Sequence, residues 1–165
     1  MEKPQGMMMN VLEDLLRPDD ILLDVKAEDA MELFEIVARH WAAFGGPDSA
    51  EVIASLAARE ALGTTGLGKG VAIPHARLPG LARPLAVLVR TATPLDFDAP
   101  DSEPVSLFFC LIVPQAAASR HLEILALVAE RFSNAQFRQA LATAISPAQV
   151  LELVLDKRTT FPTAR

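Results

Sequence analysis

Residues 105 to 114 read VSLFFCLIVP and are the strongest strand candidate in the chain. Because a strand shows alternate side chains to its two faces, and both sets are apolar here, this strand is predicted to lie at the centre of a sheet that is covered on both sides. The apolar run is too short to cross a bilayer as a helix. The single cysteine, Cys110, lies inside the run, which predicts a buried, unreactive thiol and excludes an intramolecular disulfide.

Working outward from this run, apolar stretches and helical periodicity predict the other elements. Strands are predicted at 21–25, 71–75 and 84–93, and helices at 10–16, 30–44, 48–62, 119–132, 135–144 and 146–157. Two successive helices between residues 28 and 62 interrupt a strict strand–helix alternation, so the sheet is predicted to be mixed. The predicted fold is therefore α/β, a single domain over residues 10–157 with a central mixed β-sheet flanked by helices on both faces. Residues 1–9 and 158–165 are predicted to be flexible tails.

Helix ends and buried faces can also be predicted. Asp48 and Ser146 are expected to cap the helices that follow them, and Ser119 to cap the helix that carries the downstream histidine. Gly45 and Gly46 are expected to end the first long helix. Steps of three and four residues predict two buried stripes, one made of Ala30, Leu33, Phe34, Val37, Trp41 and Phe44, and the other of Leu122, Leu125, Val128 and Phe132.

Composition narrows the function class. The chain has 165 residues, 51% of them apolar, with a net charge of -6 and a pI of about 5.0. Such an acidic balance argues against a general nucleic-acid binder, so any phosphate chemistry requires a local positive site. The N-terminal residues do not read as a signal peptide, and no segment reads as a membrane span, so we expect a cytoplasmic protein without membrane insertion.

Residues 63 to 77 read GTTGLGKGVAIPHAR and begin like a nucleotide-binding phosphate loop. A phosphate loop needs Ser or Thr after its lysine, and it follows a strand and opens a helix. Here Gly70 follows Lys69, a predicted helix precedes the glycines and an extended segment follows them, so the nucleotide interpretation fails. The glycines then either supply turns with positive φ or form a loop that lies close to an anion.

The three histidines differ in their predicted settings. His40 is expected to be a surface or boundary residue near the end of its helix. His75 follows Pro74, which restricts the backbone before it and presents the ring at the end of a strand. His121 lies at a predicted helix start, where the helix dipole favours anions. Neither His75 nor His121 has neighbours at metal-ligand spacing, and G-x-S-x-G is absent, so the remaining chemical option is a histidine that itself carries a group.

The letters ARE at 58–60 and GTTGLGKGVAIPHA at 63–76 resemble the signature of the fructose/mannitol-type (type 2) EIIA domains of the bacterial phosphoenolpyruvate-dependent phosphotransferase system. The matching residues are Arg59, Glu60, Thr65, Gly68, Gly70, Ala72, Ile73, Pro74, His75 and Ala76, with His121 at the place of the family's second histidine. The resemblance runs from about Leu12 to Leu155 and is greatest to the nitrogen-regulatory branch, EIIA-Ntr. One departure is Ala76-Arg77, where Gly-Lys is common in relatives.

The resemblance implies a regulatory phosphoryl carrier that accepts a phosphoryl group on Nε2 of His75 from a phosphohistidine on an HPr/NPr-type carrier protein. His121 would stabilise the phosphoryl group, Arg59 would stabilise charge, and the candidate phosphate contacts are Thr65, Gly68, Lys69, Gly70 and Arg77. No metal or cofactor is expected. By family analogy, the regulated partners would include potassium-transport proteins or sensor kinases.

Two alternatives remain open at this point. The chain could be a stand-alone component of fructose or mannitol uptake that passes the group to a cysteine of a separate EIIB protein. It could also be a non-phosphorylated binding domain in which both histidines are structural. Whether the chain acts as an enzyme in its own right, which target it regulates and in which oligomeric state it works do not follow from the sequence.

Overall fold

The predicted central strand is present with the predicted bounds, Val105–Pro114, in a computed structural model that describes residues 11–116 and 118–155. In those residues the strands are β1 (Ile21–Val25), β2 (Gly66–Gly68), β3 (Val71–Ala72), β4 (His75–Leu78), β5 (Leu85–Leu95) and β6 (Val105–Pro114). The helices are α1 (11–15), α2 (Ala30–Ala43), α3 (Ser49–Leu62), α4 (Ala118–Phe132), α5 (Ala135–Thr143) and α6 (Pro147–Leu155).

The strands form one mixed sheet in the order β1-β5-β6-β3-β2, and β4 also pairs with β6. The β5–β6 and β2–β3 pairs are antiparallel, while β1 runs parallel to β5, and β3 and β4 run parallel to β6. Ile73 and Pro74 separate β3 from β4, because proline has no N–H to donate to the ladder. The carbonyl of Pro74 still accepts a bond of 2.9 Å from the N–H of Leu111, so both short strands follow the same edge of β6.

The core has two layers, one on each face of the sheet, as the alternation along β6 requires. Leu107, Phe109, Leu111 and Val113 belong to the cluster that contains residues of α1, α4, α5 and α6. Phe108, Cys110 and Ile112 belong to the opposite cluster, with residues of α2 and α3. The predicted mixed sheet with helices on both faces is thus confirmed. Burial is complete at Cys110 and is the main cause that raises the pKa of its thiol, in agreement with the predicted unreactive thiol.

Side-chain caps fix where several helices begin. The carboxylate of Asp48 accepts a bond from the backbone N–H of Glu51, and the hydroxyl of Ser146 accepts one from the N–H of Gln149, as predicted. Gly45, with φ of +80°, follows the end of α2, which confirms the predicted stop.

Three details of the predicted helices are wrong. Phe44 lies past the end of α2 and is 56% exposed, because the helix stops before its side chain can turn towards the core. Leu122 is 64% exposed, since the buried stripe of α4 passes through His121 and Ile124, one residue before Leu122 and Leu125, while Val128 and Phe132 are buried as predicted. Ser119 lies within α4, whose first residue is Ala118, and so does not cap it.

His40 lies at a partly buried position, and its Nε2 is 2.9 Å from Oδ1 of Asp20. This contact ties the end of α2 to the turn before β1. Among the residues described, no helix is long and apolar enough to cross a membrane. The predicted tails at 1–9 and 158–165 lie outside the described residues, and the predicted domain bounds of 10–157 stay a prediction.

Candidate functional site

His75 is the first residue of β4, and the backbone immediately before it is held on both sides. The N–H of Ile73 donates to the carbonyl of Thr65 over 3.1 Å, and the carbonyl of Pro74 accepts from Leu111 over 2.9 Å. Pro74 itself is buried and has a restricted φ. The ring of His75 therefore projects from a segment with little conformational freedom.

The ring of His75 has a defined tautomer. Its Nδ1 is 2.7 Å from the carbonyl oxygen of Ile73, and because a carbonyl can only accept, Nδ1 carries the proton. Burial lowers the pKa of His75, the bond to Ile73 opposes this shift in part, and the charge of Arg59 adds to it. Near neutral pH the ring is therefore uncharged, with a lone pair on Nε2. Within the described residues Nε2 has no hydrogen-bond partner.

His121 faces His75 from the first turn of α4. The ring centroids are 5.1 Å apart and the ring planes are nearly perpendicular, at 82°. The residue is only 5% exposed, and its Nδ1 is buried without a hydrogen-bond partner among the residues described. Burial is the main cause that lowers the pKa of His121 to about 4. Repulsion from three nearby groups lowers it further: His75, Arg77 and Arg59.

Two arginines complete this group, which we name the histidine–arginine cluster (His75, His121, Arg59 and Arg77). Arg59 lies in the last turn of α3, and its Nη1 donates to the carbonyl of Gly63 over 2.7 Å. Arg77 is exposed and lies two residues after His75 on β4, so the two side chains share a face of the sheet. The described residues provide no carboxylate within ion-pairing distance of either arginine. The cluster is thus a local positive site on an acidic protein.

The carbonyl of Thr65 accepts a bond from the N–H of Ile73, two residues before His75, but the hydroxyl of Thr65 already donates to Glu60. The N–H of Thr65 donates to one carboxylate oxygen of Glu60 over 2.7 Å, and its Oγ1 donates to the other over 2.5 Å. Thr65 is buried, with 6% exposure. The role of Glu60 as the partner of Thr65 was missed from the sequence, where only its place in the ARE triplet gave a signal.

The glycine loop lies at the other end of the β2–β3 hairpin. Gly68, Lys69 and Gly70 all have positive φ and form its turn, which fits the turn-forming alternative considered for these glycines. The N–H of Lys69 donates to Asp101 over 2.8 Å. Val71 pairs with Leu107 and His75 with Leu111, so the turn lies about 13 Å along the sheet from His75. The structure brings together the histidine–arginine cluster, with Thr65 near it, and does not bring the turn to it.

The site has no arrangement that indicates a metal. Among the side chains described, no three histidine, cysteine, aspartate or glutamate residues are grouped to hold an ion. The histidine–arginine cluster combines the lone pair on Nε2 of His75 with a second imidazole and two guanidinium groups. Such a set can receive a phosphoryl group and stabilise its charge.

The sequence matches the family described as "Phosphoenolpyruvate-dependent sugar phosphotransferase system, EIIA 2" over residues 14–157. The chain belongs to this EIIA family. Its relatives include a nitrogen regulatory protein of Pseudomonas aeruginosa, 38% identical over 149 residues that cover 88% of this chain and 95% of the relative. A nitrogen regulatory protein of Bradyrhizobium diazoefficiens is 35% identical over 144 residues, which cover 87% and 94%.

Solved structures agree with this placement of the EIIA chain. The nitrogen regulatory protein IIA-Ntr from Neisseria meningitidis superposes with a TM-score of 0.84 at 39% identity, covering 87% of this chain and 99% of that one. The IIA mannitol protein from Escherichia coli has a TM-score of 0.72 at 20% identity, over 84% and 98%, and shows a shared fold. The predicted family, and the greater similarity to its nitrogen-regulatory branch, are confirmed.

Proposed function

We propose that this EIIA protein is a phosphoryl carrier of a nitrogen-type phosphotransferase system, which accepts a phosphoryl group on Nε2 of His75 and regulates other proteins according to its phosphorylation. The donor is a phosphohistidine on a small HPr/NPr-type carrier protein. The observation that carries the proposal is the state of the His75 ring. Its Nδ1 donates its proton to the carbonyl of Ile73, which leaves a lone pair on Nε2 beside His121, and burial lowers its pKa, which favours the neutral ring.

Transfer between two imidazoles needs positioning and charge stabilisation more than covalent help. The bond between phosphorus and the donor ring nitrogen breaks as the bond between phosphorus and Nε2 of His75 forms. The electron pair of the broken bond stays on the donor ring, and Nδ1 of His75 keeps its proton. His121 and Arg59 would contact the phosphoryl oxygens, and Arg77 would add positive potential.

The candidate phosphate contacts between residues 65 and 70 differ in how directly each could reach a phosphoryl group on His75. Thr65 would approach the phosphoryl group only if its hydroxyl exchanged its bond to Glu60, because that bond uses its single proton. Gly68, Lys69 and Gly70 stay candidates only for a contact that a bound carrier protein would bring to the hairpin turn, since their observed partners lie around Asp101 and Ser106.

The regulatory output follows from the charge that the group adds. A phosphoryl group brings a charge of about −1.5 to −2 to a surface that otherwise carries Arg59 and Arg77, and so cancels most or all of its local positive charge. Partners that bind the unmodified and the phosphorylated surface would therefore differ. By analogy with the family, such partners include potassium-transport proteins and sensor kinases.

The proposal is tested by incubating the protein with phosphoenolpyruvate, enzyme I and an HPr-type carrier, and by measuring its intact mass. We expect the gain of one acid-labile phosphoryl group. His75→Gln should abolish the gain, whereas His40→Gln, which changes a histidine paired with Asp20, should retain it. Absence of any gain by the wild-type protein with a competent carrier would instead favour a non-phosphorylated binding domain.

The sugar-uptake alternative has one observation in its favour. A protein named as a fructose-specific EIIA component of Haloferax volcanii is 34% identical over 102 residues, which cover 62% of this chain and 66% of that protein. Adding a purified EIIB protein of the fructose or mannitol type to the phosphorylated chain separates the two functions. Rapid loss of the group to the EIIB cysteine would favour uptake, and retention would favour regulation.

A further inference from the structure

A chain of hydrogen bonds connects the end of α3 to the ring of His75 through Glu60, Thr65 and Ile73, which are not members of the histidine–arginine cluster. It begins at Glu60, whose carboxylate accepts the N–H and the hydroxyl of Thr65 over 2.7 and 2.5 Å. The carbonyl of Thr65 accepts the N–H of Ile73 over 3.1 Å. The carbonyl of Ile73 then accepts Nδ1–H of His75 over 2.7 Å. Each residue in the chain is thus held by the one before it.

The link through Ile73 is held firmly because other conformations of the segment are blocked. Pro74 disfavours helical conformations at Ile73 and removes the N–H that would otherwise bind elsewhere. On its other side, the carbonyl of Pro74 is held by Leu111 of β6. The direction of the Ile73 carbonyl therefore depends on the sheet at one end and on Thr65 at the other.

We propose that Glu60 and Thr65 are positioning residues, which hold the Ile73 carbonyl where it keeps the proton of His75 on Nδ1. The inference deepens the proposed function and rests on it for its kinetic consequence. Its structural part, the tautomer of His75, concerns the unmodified protein alone. Neither residue needs to touch the phosphoryl group for this role.

The tautomer matters because only a ring with its proton on Nδ1 has a lone pair on Nε2. An unrestrained neutral imidazole can also carry its proton on Nε2, which removes that lone pair. As the bond from Nε2 to phosphorus forms, the ring becomes more positive, and the hydrogen bond from Nδ1 to the Ile73 carbonyl becomes charge-assisted. That bond is therefore stronger in the transition state than before transfer, which is the condition for raising kcat.

Four variants separate the hydrogen bonds from the charge of Glu60. Glu60→Met removes both acceptors and keeps an unbranched side chain, while Thr65→Val removes only the hydroxyl. In Glu60→Gln the amide oxygen can accept the N–H of Thr65 and the amide nitrogen can donate to its Oγ1, so both bonds can be kept without the charge. Thr65→Ser keeps the hydroxyl, and these last two are the matched controls.

The first measurement is the tautomer of His75, read from its ring 15N chemical shifts in the unmodified protein. We expect the Nδ1–H form in the wild type, Glu60→Gln and Thr65→Ser, and a mixture with the Nε2–H form in Glu60→Met and Thr65→Val. Backbone 1H–15N spectra establish that each variant is folded. If neither Glu60→Met nor Thr65→Val changes the tautomer, the positioning role is wrong.

The second measurement is the rate of phosphoryl transfer from the phosphorylated HPr-type carrier. Glu60→Met should lower kcat by about 10- to 100-fold with little change in KM for the carrier, and Thr65→Val should do so by less. A changed tautomer with an unchanged kcat would overturn the kinetic role. If the wild type accepts no phosphoryl group, the proposed function fails, while the 15N shifts still decide whether Glu60 and Thr65 position His75.

Discussion

The rings of His75 and His121 are 5.1 Å apart, yet the protein holds them in opposite ways. His75 is half-buried, and its Nδ1 has a backbone partner that fixes the proton. His121 is almost wholly buried, and its Nδ1 has no partner in the part of the chain that the structure describes. The ring of His75 is thus organised before any ligand binds, whereas Nδ1 of His121 has an unmet hydrogen bond among the described residues.

Under the proposed function, this difference indicates that the two histidines have different roles. A buried polar atom without a partner costs about 1–3 kcal/mol, and such atoms in native proteins call for an explanation. A neutral His121 ring interacts only weakly with an anion. An anion that binds next to it favours the protonated ring. His75 would therefore carry the group, and His121 would respond to it.

The largest expected effect is on phosphoryl transfer, where loss of His121 should change the rate and loss of His75 should change the final extent. His121→Gln should slow transfer from the phosphorylated carrier by about 100- to 1,000-fold, the usual loss on removing one group that stabilises developing charge. Because His75 remains, the final extent should still reach one phosphoryl group per chain, unlike in His75→Gln. Rapid-quench kinetics followed by intact mass measures both quantities, with His40→Gln as the control. A wild-type rate in His121→Gln would remove His121 from the site.

The second effect concerns the charge of His121. Its pKa, lowered to about 4 in the unmodified protein, should rise when a phosphoryl group is placed on His75, because a nearby negative charge favours the imidazolium form. A rise of about 1 to 3 pH units is expected for a charge at this distance.

An NMR titration of the His121 ring, before and after phosphorylation, measures this change. The ring resonances of His40 provide an internal control, since that residue contacts Asp20 rather than the cluster. If the His121 titration curve is the same in both forms, the phosphoryl group does not lie next to His121, and the two histidines do not share one site.

The contrast also explains how much the sequence could reveal. His75 is a candidate site residue from the sequence because of Pro74 before it and the family signature around it, both of which are local. The β6 run was predicted with the right bounds because its apolar residues on both faces leave one environment for it. By contrast, β2 was not predicted as a strand, because two of its three residues are glycines and it has no run of apolar or β-branched side chains; the sequence indicated only a glycine-rich stretch before the extended segment at 71–75, which contains β3.

The environment of His121 could not be predicted from periodicity. Because leucine is apolar and histidine is polar, the periodicity predicts that Leu122 lies in the core. In the structure, His121 is the buried residue. The bond between Glu60 and Thr65 was missed for a related reason. It depends on how the chain turns after α3, which residue types alone do not specify.

The smallest effect is on stability. The folded-state pKa of His121 lies below its unfolded value of about 6.5, so between pH 6.5 and about 4 the unfolded chain binds a proton that the folded chain does not. The free energy of unfolding should therefore fall as the pH is lowered through this window, and the lowered pKa of His75 acts in the same direction.

Urea unfolding of the unmodified protein at pH 7.0 and 5.5 measures how the free energy of unfolding depends on pH. Both pH values lie above those at which most carboxylates titrate. His121→Gln removes the titrating group, so its loss of stability between the two pH values should be smaller than in the wild type by at most about 1 kcal/mol. Contributions from other groups, including the Asp20–His40 contact, are common to both proteins and cancel in this difference. Equal losses in the two proteins would mean that His121 binds its proton equally well folded and unfolded. The buried ring of His121, whose Nδ1 has no hydrogen-bond partner among the described residues, would then not be the histidine that responds to the phosphoryl group.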